Sequence, residues 1–93
     1  MKFSSSSKFI PARHLITKFL GEQAFIFDTK RVRVHTLNET ASLIWRLINK
    51  KYSLKQIIKE ICNKYNVTEK KSRKDVTEFL EKYIRKNMVA ARK

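Results

Sequence analysis

Leu37-Asn38-Glu39-Thr40-Ala41-Ser42-Leu43-Ile44-Trp45-Arg46-Leu47-Ile48 is the stretch on which the fold turns. It reads as the end of a strand that runs straight into an amphipathic helix. Asn38 stands where an N-cap belongs, because its side-chain oxygen can accept from the free amides of a first helical turn. Glu39 in that turn complements the positive end of the helix dipole. Ala41, Ile44, Trp45 and Ile48 fall at i, i+3, i+4 and i+7, which is one helical face. Leu43 and Leu47 widen the stripe, so this helix is covered on more than one side and forms the core of the domain.

Upstream, strand formers predominate. Residues 1–9 are polar and serine-rich, and are expected as a flexible arm, so the domain is set at 11–93 after an arm over 1–10. Pro11 can open a strand at an edge. Leu15–Leu20 and Gln23–Phe27 read as strands joined at Gly21-Glu22, the natural hairpin tip. Asp28-Thr29-Lys30 reads as a turn with Asp at its first position. Over Arg31–Leu37, Val32, Val34 and Thr36 alternate with Arg31, Arg33 and His35, the pattern of a half-exposed edge strand.

Downstream, Ser53 and Gln56 have capping-box spacing. Leu54, Ile57, Ile58, Ile61 and Tyr65 define a second helix, ended by Asn66 in the left-handed conformation. Thr68 or Ser72 caps a third, with Val76, Phe79, Leu80, Tyr83 and Ile84 as its stripe. Asn87 stands at its end, and Met88-Val89 is an apolar tail able to dock back. The order is three strands and then three helices, an α+β domain with a three-stranded antiparallel sheet.

Composition bounds the function. The 93 residues are 42% hydrophobic, with one cysteine, Cys62. No intrachain disulfide is possible, and no apolar run approaches the ~20 residues that span a bilayer. The first residues lack the apolar core of a secretory signal. A cytoplasmic location is expected. The net charge of +14 implies an anionic partner or a strongly solvated surface. No enzyme signature stands up. His14 and His35 lie far apart in sequence, without a carboxylate or cysteine at ligand spacing, and Cys62 completes no zinc pattern. A single glycine excludes glycine-rich phosphate loops. No catalytic residue, metal or cofactor is expected.

An open edge at Arg31–Thr36 can accept an extended peptide as a further strand. Arg31 and Arg33 fit two roles there, guarding the edge or receiving acidic residues of an incoming strand. Along helix three, Asp75, Phe79 and Lys82 flank the core stripe and can form a groove with that edge. Two functions follow. One is a peptide-binding module working by strand addition. The other is a winged-helix nucleic-acid binder, suited by the charge, although Asp75, Glu78 and Glu81 would repel phosphates from helix three. Lys50–Lys74 is basic enough for nonspecific nucleic-acid contact. No single helix combines a dense basic face with interfacial aromatics, so no membrane partner is expected.

Leu37-Asn38-Glu39-Thr40-Ala41 with Ile44-Trp45, Ser53 with Ile57, and Asp75-Val76 with Phe79-Leu80 resemble the PqqD-like family, over roughly Pro11 to Val89. Members are small domains that recognise the leader peptides of ribosomally made, post-translationally modified peptides. The resemblance implies a winged-helix-like fold and a leader paired with the strand Arg31–Thr36, in the cleft against Asp75, Phe79, Lys82 and Tyr83. It further implies no chemistry of its own, and delivery of the precursor to a partner such as a radical-SAM enzyme, a cyclase or a leader peptidase. The charge makes an acidic leader the expected ligand. An exposed edge is compatible with a monomer or a strand-exchanged dimer. Where the family usually has glycine, this chain has Asn49-Lys50, Thr29-Lys30 and Asn87.

Overall fold

The computed structural model describes residues 3–92, in which eight elements follow one another. They are β1 (Lys8–Pro11), β2 (Leu15–Leu20), β3 (Gln23–Asp28), β4 (Arg33–Thr36), α1 (Glu39–Asn49), α2 (Leu54–Tyr65), α3 (Glu69–Arg85) and β5 (Val89–Arg92). β2, β3 and β4 form the expected antiparallel sheet, with β4 at one edge. Ile16 pairs with Phe27 and Phe27 with Val34, which fixes the register across all three strands. Ala24, Ile26 and Asp28 of β3 face inward and are fully buried beneath the helices.

α1 is the core helix its pattern demands. Ile44, Trp45 and Ile48 are essentially without solvent exposure. The Asn38 side chain caps it by accepting from the Ala41 amide at 2.9 Å. Four hydrogen bonds of α1 side chains tie the helix to the sheet and the segments that flank its strands. Ser42 Oγ accepts from the Ala24 amide at 2.8 Å and donates to the Leu37 carbonyl at 3.2 Å. The Trp45 indole N–H donates to Thr17 Oγ1 at 2.9 Å, so the largest core side chain has its one donor satisfied. Arg46 stacks over the Phe19 ring at 4.1 Å and donates to the Gly21 carbonyl, clamping the β2–β3 hairpin tip.

All three helices end on a left-handed residue: Lys51 (φ 65°), Asn66 (φ 53°) and Asn87 (φ 60°). After α1, the Tyr52 amide donates to the Leu47 carbonyl and the Lys51 amide to that of Ile48. After α3, Met88 and Asn87 repeat this with Tyr83 and Ile84. This double closure satisfies carbonyls that a helix end otherwise leaves free. It also throws Met88 back into the core, where it is fully buried. α2 opens with the capping box expected at Ser53 and Gln56, and Thr68, rather than Ser72, caps α3. Ser72 is buried and donates to the Ile58 carbonyl, joining α3 to α2.

The N-terminal segment departs from the expectation of an arm over residues 1–10. Met1 and Lys2 lie outside the described residues, but Lys8–Pro11 forms β1, paired antiparallel with β5. Phe9 is buried in the core and meets Phe3 edge-on at 5.3 Å. The serines have a physical reason to be fixed. The carbonyls of Ser7 and Ser5 accept from the Leu54 and Lys55 amides, at 2.8 and 3.0 Å. These are first-turn donors of α2 that have no partner within the helix. Phe9→Ala should therefore destabilise the protein by about 3 kcal/mol, the cost of truncating a buried aromatic ring, read as a lowered urea midpoint. A flexible arm would leave the midpoint unchanged.

Candidate functional site

The candidate site is the open edge of β4 and the groove beside it, and its geometry starts from Asp28. This carboxylate is wholly buried at the end of β3. Its Oδ1 accepts from the amides of Lys30 and Arg31 at 3.0 and 3.1 Å. His14 Nε2 lies 3.4 Å from the same oxygen, and Arg31 Nη1 lies 3.7 Å from Oδ2. Burial pulls the carboxyl upward, but the amide donors of Arg31 and Lys30, then the charges of His14 and Arg31, outweigh it and hold the group below its ordinary value. It stays ionised and dictates the turn.

That turn corrects the expected strand boundary. Arg31 and Val32 belong to the loop and β4 begins at Arg33, because the Arg31 amide is committed to Asp28. The chain re-enters the sheet through Val32, at φ 52°. A β-branched residue in this region is strained, and glycine would occupy it without steric cost. The positive φ thus falls two residues beyond Thr29-Lys30. After α1 it falls likewise on Lys51, just past Asn49-Lys50.

The hydrogen-bond phase of β4 follows from one contact. The Leu37 amide donates to the Ala24 carbonyl, toward β3. Amides on a strand alternate in direction, so Arg33 and His35 share that side while the backbone groups of Val34 and Thr36 point off the sheet edge. Side chains alternate independently. His35 turns toward the helices and is half-buried, whereas Val34 lies on the outer face opposite Phe27. Val34 and Thr36 therefore bring backbone, not side chains, to the edge.

α3 runs alongside in the opposite sense. At the start of the strand, Arg31 Nη1 donates to the Lys86 carbonyl at 3.2 Å, at the negative end of the α3 dipole. Lys82 and Lys86 lie over the Tyr83 ring, with their ammonium nitrogens 5.7 and 5.8 Å from its centre. Tyr83 is buried and stacks on Phe79 at 4.5 Å. Beyond the other end of the strand, Asn38, Thr40, Ala41 and Ile44 face Asp75, Glu78 and Phe79 across a shallow groove of about 280 Å³. The groove is basic where β4 begins and acidic where α1 begins.

Of the residues singled out from sequence, Asp75 and Phe79 come together in this groove, and Lys82 and Tyr83 continue it toward Arg31. Val32 and Val34 project away from it. Lys86, Thr40 and Ala41 were not foreseen. Asn38, the helix cap, also lies at the groove because it follows directly on β4. His35 Nε2 is buried without a hydrogen-bond partner. Burial lowers its pKa, Lys86, Arg33 and Arg31 add to the effect, and Asp28 opposes it. Among the described residues, no group of three or more His, Cys, Asp or Glu side chains could hold a metal ion, and no helix is long and apolar enough to cross a membrane.

Comparison with known proteins matches this frame. The family model for "Coenzyme PQQ synthesis protein D (PqqD)" matches residues 23–89. A solved structure described as TbiB1 in complex with the TbiA(beta) leader peptide superposes with a TM-score of 0.80 at 18% identity, over 85% of this chain and 92% of that one. Another, a lasso peptide synthetase B1 complexed with the leader peptide, gives 0.81 at 16% identity, over 89% and 98%. At these identities the likeness establishes the fold. A search of curated proteins returns no match.

Two outcomes are expected from this geometry. Val32→Gly should raise stability by about 1 kcal/mol, as relief of left-handed strain exceeds the added freedom of the unfolded chain; urea denaturation reads it. Because His35 titrates lower in the folded than in the unfolded state, the unfolded chain binds the proton first. Stability is then full above pH ~6.5 and falls as pH drops below it. His35→Phe should flatten that fall, read by urea midpoints at pH 7 and pH 5.

Proposed function

The chain belongs to the PqqD family, and on that premise we propose that it is a non-catalytic leader-recognition domain. It captures the leader of a ribosomally made precursor by strand addition and presents it to a modifying enzyme or leader peptidase. The observation that carries this is the edge of β4, where the backbone of Val34 and Thr36 points outward beside a groove floored by Phe79. Main-chain hydrogen bonds to such an edge give affinity, and neighbouring side chains give selectivity. The two structural neighbours, each a complex with a leader peptide, support the same reading.

The site residues take distinct parts. Val34 and Thr36 pair with the leader backbone. Arg31, Arg33 and Lys82 receive its acidic side chains at the basic end, and His35, Phe79 and Tyr83 contact its groove-facing residues. Asp75, at the acidic end, disfavours a leader that is acidic throughout. The preferred ligand has its carboxylates at one end and apolar residues at the centre. A domain of this kind works in the cytoplasm, where precursors are made.

The test is a binding titration with the leader of the co-encoded precursor and with a random DNA duplex, each at about 50 and 200 mM salt. Leader binding should persist at both, whereas DNA binding should be weak and collapse with salt. Tight DNA binding without leader binding would overturn the reading. Val34→Pro should reduce leader affinity at least tenfold while leaving the fold intact, because the amide it removes takes no part in the β3–β4 ladder.

A further inference from the structure

The large apolar side chains left exposed among the described residues are Ile16, Leu20, Phe27, Val32 and Val34. Surface apolar residues are normally scattered, but four of these share one face. Ile16, Phe27 and Val34 lie directly across from one another on the three strands, 50%, 38% and 61% exposed. The Phe27–Val34 pair is of the close, non-hydrogen-bonded kind, so the row is continuous there. Lys18, Phe25 and Thr36 form the next row, and Leu20, 72% exposed, lies beyond Lys18 on the same face. The helices cover the opposite face of the sheet, so nothing among the described residues covers this one.

Lys18 indicates what covers it. It stands between Ile16 and Leu20 without an ion pair or side-chain hydrogen bond among the described residues. A second copy would bring the same lysine and another +14 of charge against it. A partner surface with an apolar centre and a carboxylate opposite Lys18 is complementary in both respects.

We propose that the outer face of β2–β3–β4 is the docking surface for the leader-dependent enzyme that acts on the precursor. This rests on the leader-recognition reading and extends it. A leader strand added beside β4 would continue the same rows, with every second side chain projecting next to Val34 and Thr36. The enzyme would then contact domain and leader together and bind the loaded domain more tightly, and by linkage it would tighten leader binding by the same factor.

The experiment uses the full chain, its synthetic leader and the leader-dependent enzyme encoded beside it. The variants are Ile16→Ser with Leu20→Ser, and separately Lys18→Glu, all in β2 and none in the leader site. Leader affinity is read by fluorescence polarisation and enzyme affinity by biolayer interferometry. Leader affinity should stay within twofold of wild type, while enzyme affinity drops at least tenfold for both variants. Enzyme binding unchanged in both variants would overturn the proposal. So would equal loss of leader affinity in the well-folded Lys18→Glu variant, or a wild-type dimer that the serine variant dissolves. Wild-type protein that binds the enzyme through this face but binds no leader would remove the leader reading and leave the docking face standing.

Discussion

Asp28 is the constraint on which the geometry of the β4 edge depends. A carboxylate with no solvent exposure must be compensated where it sits, and here the compensation is supplied by the turn that follows it. Two amides of that turn donate to one oxygen, Arg31 brings positive charge, and His14 Nε2 lies 3.4 Å away. The turn cannot relax without leaving a buried charge unpaired. It therefore commits the chain to re-enter the sheet at Arg33 and in one register. Since a slip of one residue would exchange the two faces of β4, this also decides which amides point outward. The same network reaches across to α3, because Arg31 contacts the Asp28 carboxylate and the Lys86 carbonyl through one nitrogen. A single side chain thus bridges the turn before the edge and the end of α3.

The chain tolerates left-handed residues where glycine would be cheaper. Val32, Lys51 and Asn87 all take positive φ at points where the path must reverse. At Lys51 and Asn87 the closure of two helix carbonyls offsets the cost, and Asn87 is a residue that accepts this region readily. At Val32 no such local compensation is visible, and the strain is sustained by the Asp28 turn before it and the β3–β4 ladder after it. Backbone strain held by its surroundings next to a ligand-accepting edge is a familiar association, and it places the least relaxed residue of the loop beside the proposed site.

Much of this was legible from residues. The period of Ala41, Ile44, Trp45 and Ile48 is helical and nothing else, and alternation over Arg31–Leu37 marks an edge strand, although it is Val34 that faces outward and His35 that faces the helices. Asn38, Ser53, Thr68 and Asn66 announce helix ends because their side chains and backbones do there what few others can. The serine segment was not legible. A run of serines looks solvated in one dimension, and only the orientation of α2 shows that its carbonyls are needed by Leu54 and Lys55. β1 and β5 failed for a related reason. Each is four residues long, and they pair across 78 or more positions of sequence, so no local pattern carries the signal. The start of β4 was misplaced because alternation continues through Arg31 and Val32 in sequence while the backbone there is already spoken for by Asp28. The groove-lining role of Thr40 and Ala41 depends on how close α3 approaches α1, which no spacing along one helix can state.

The geometry of a strand separates its duties. Along β4 the backbone of Val34 and Thr36 points off the sheet, the side chains of Arg33 and His35 lie on the helix-facing side, and those of Val34 and Thr36 lie on the outer face. A peptide at the edge, its side chains in the groove and a protein on the outer face would thus meet different atoms of the same four residues. The positive charge favours this division. With +14 on 93 residues, an anionic strand would be drawn to the proposed edge and a copy of the same chain repelled from it. An open edge is a hazard when it can pair with itself. Arg31 and Arg33 then need not be either guards or receptors, the alternatives between which the sequence could not choose. Under the proposed function, a cationic edge would reject its own kind and accept an acidic one by the same electrostatics.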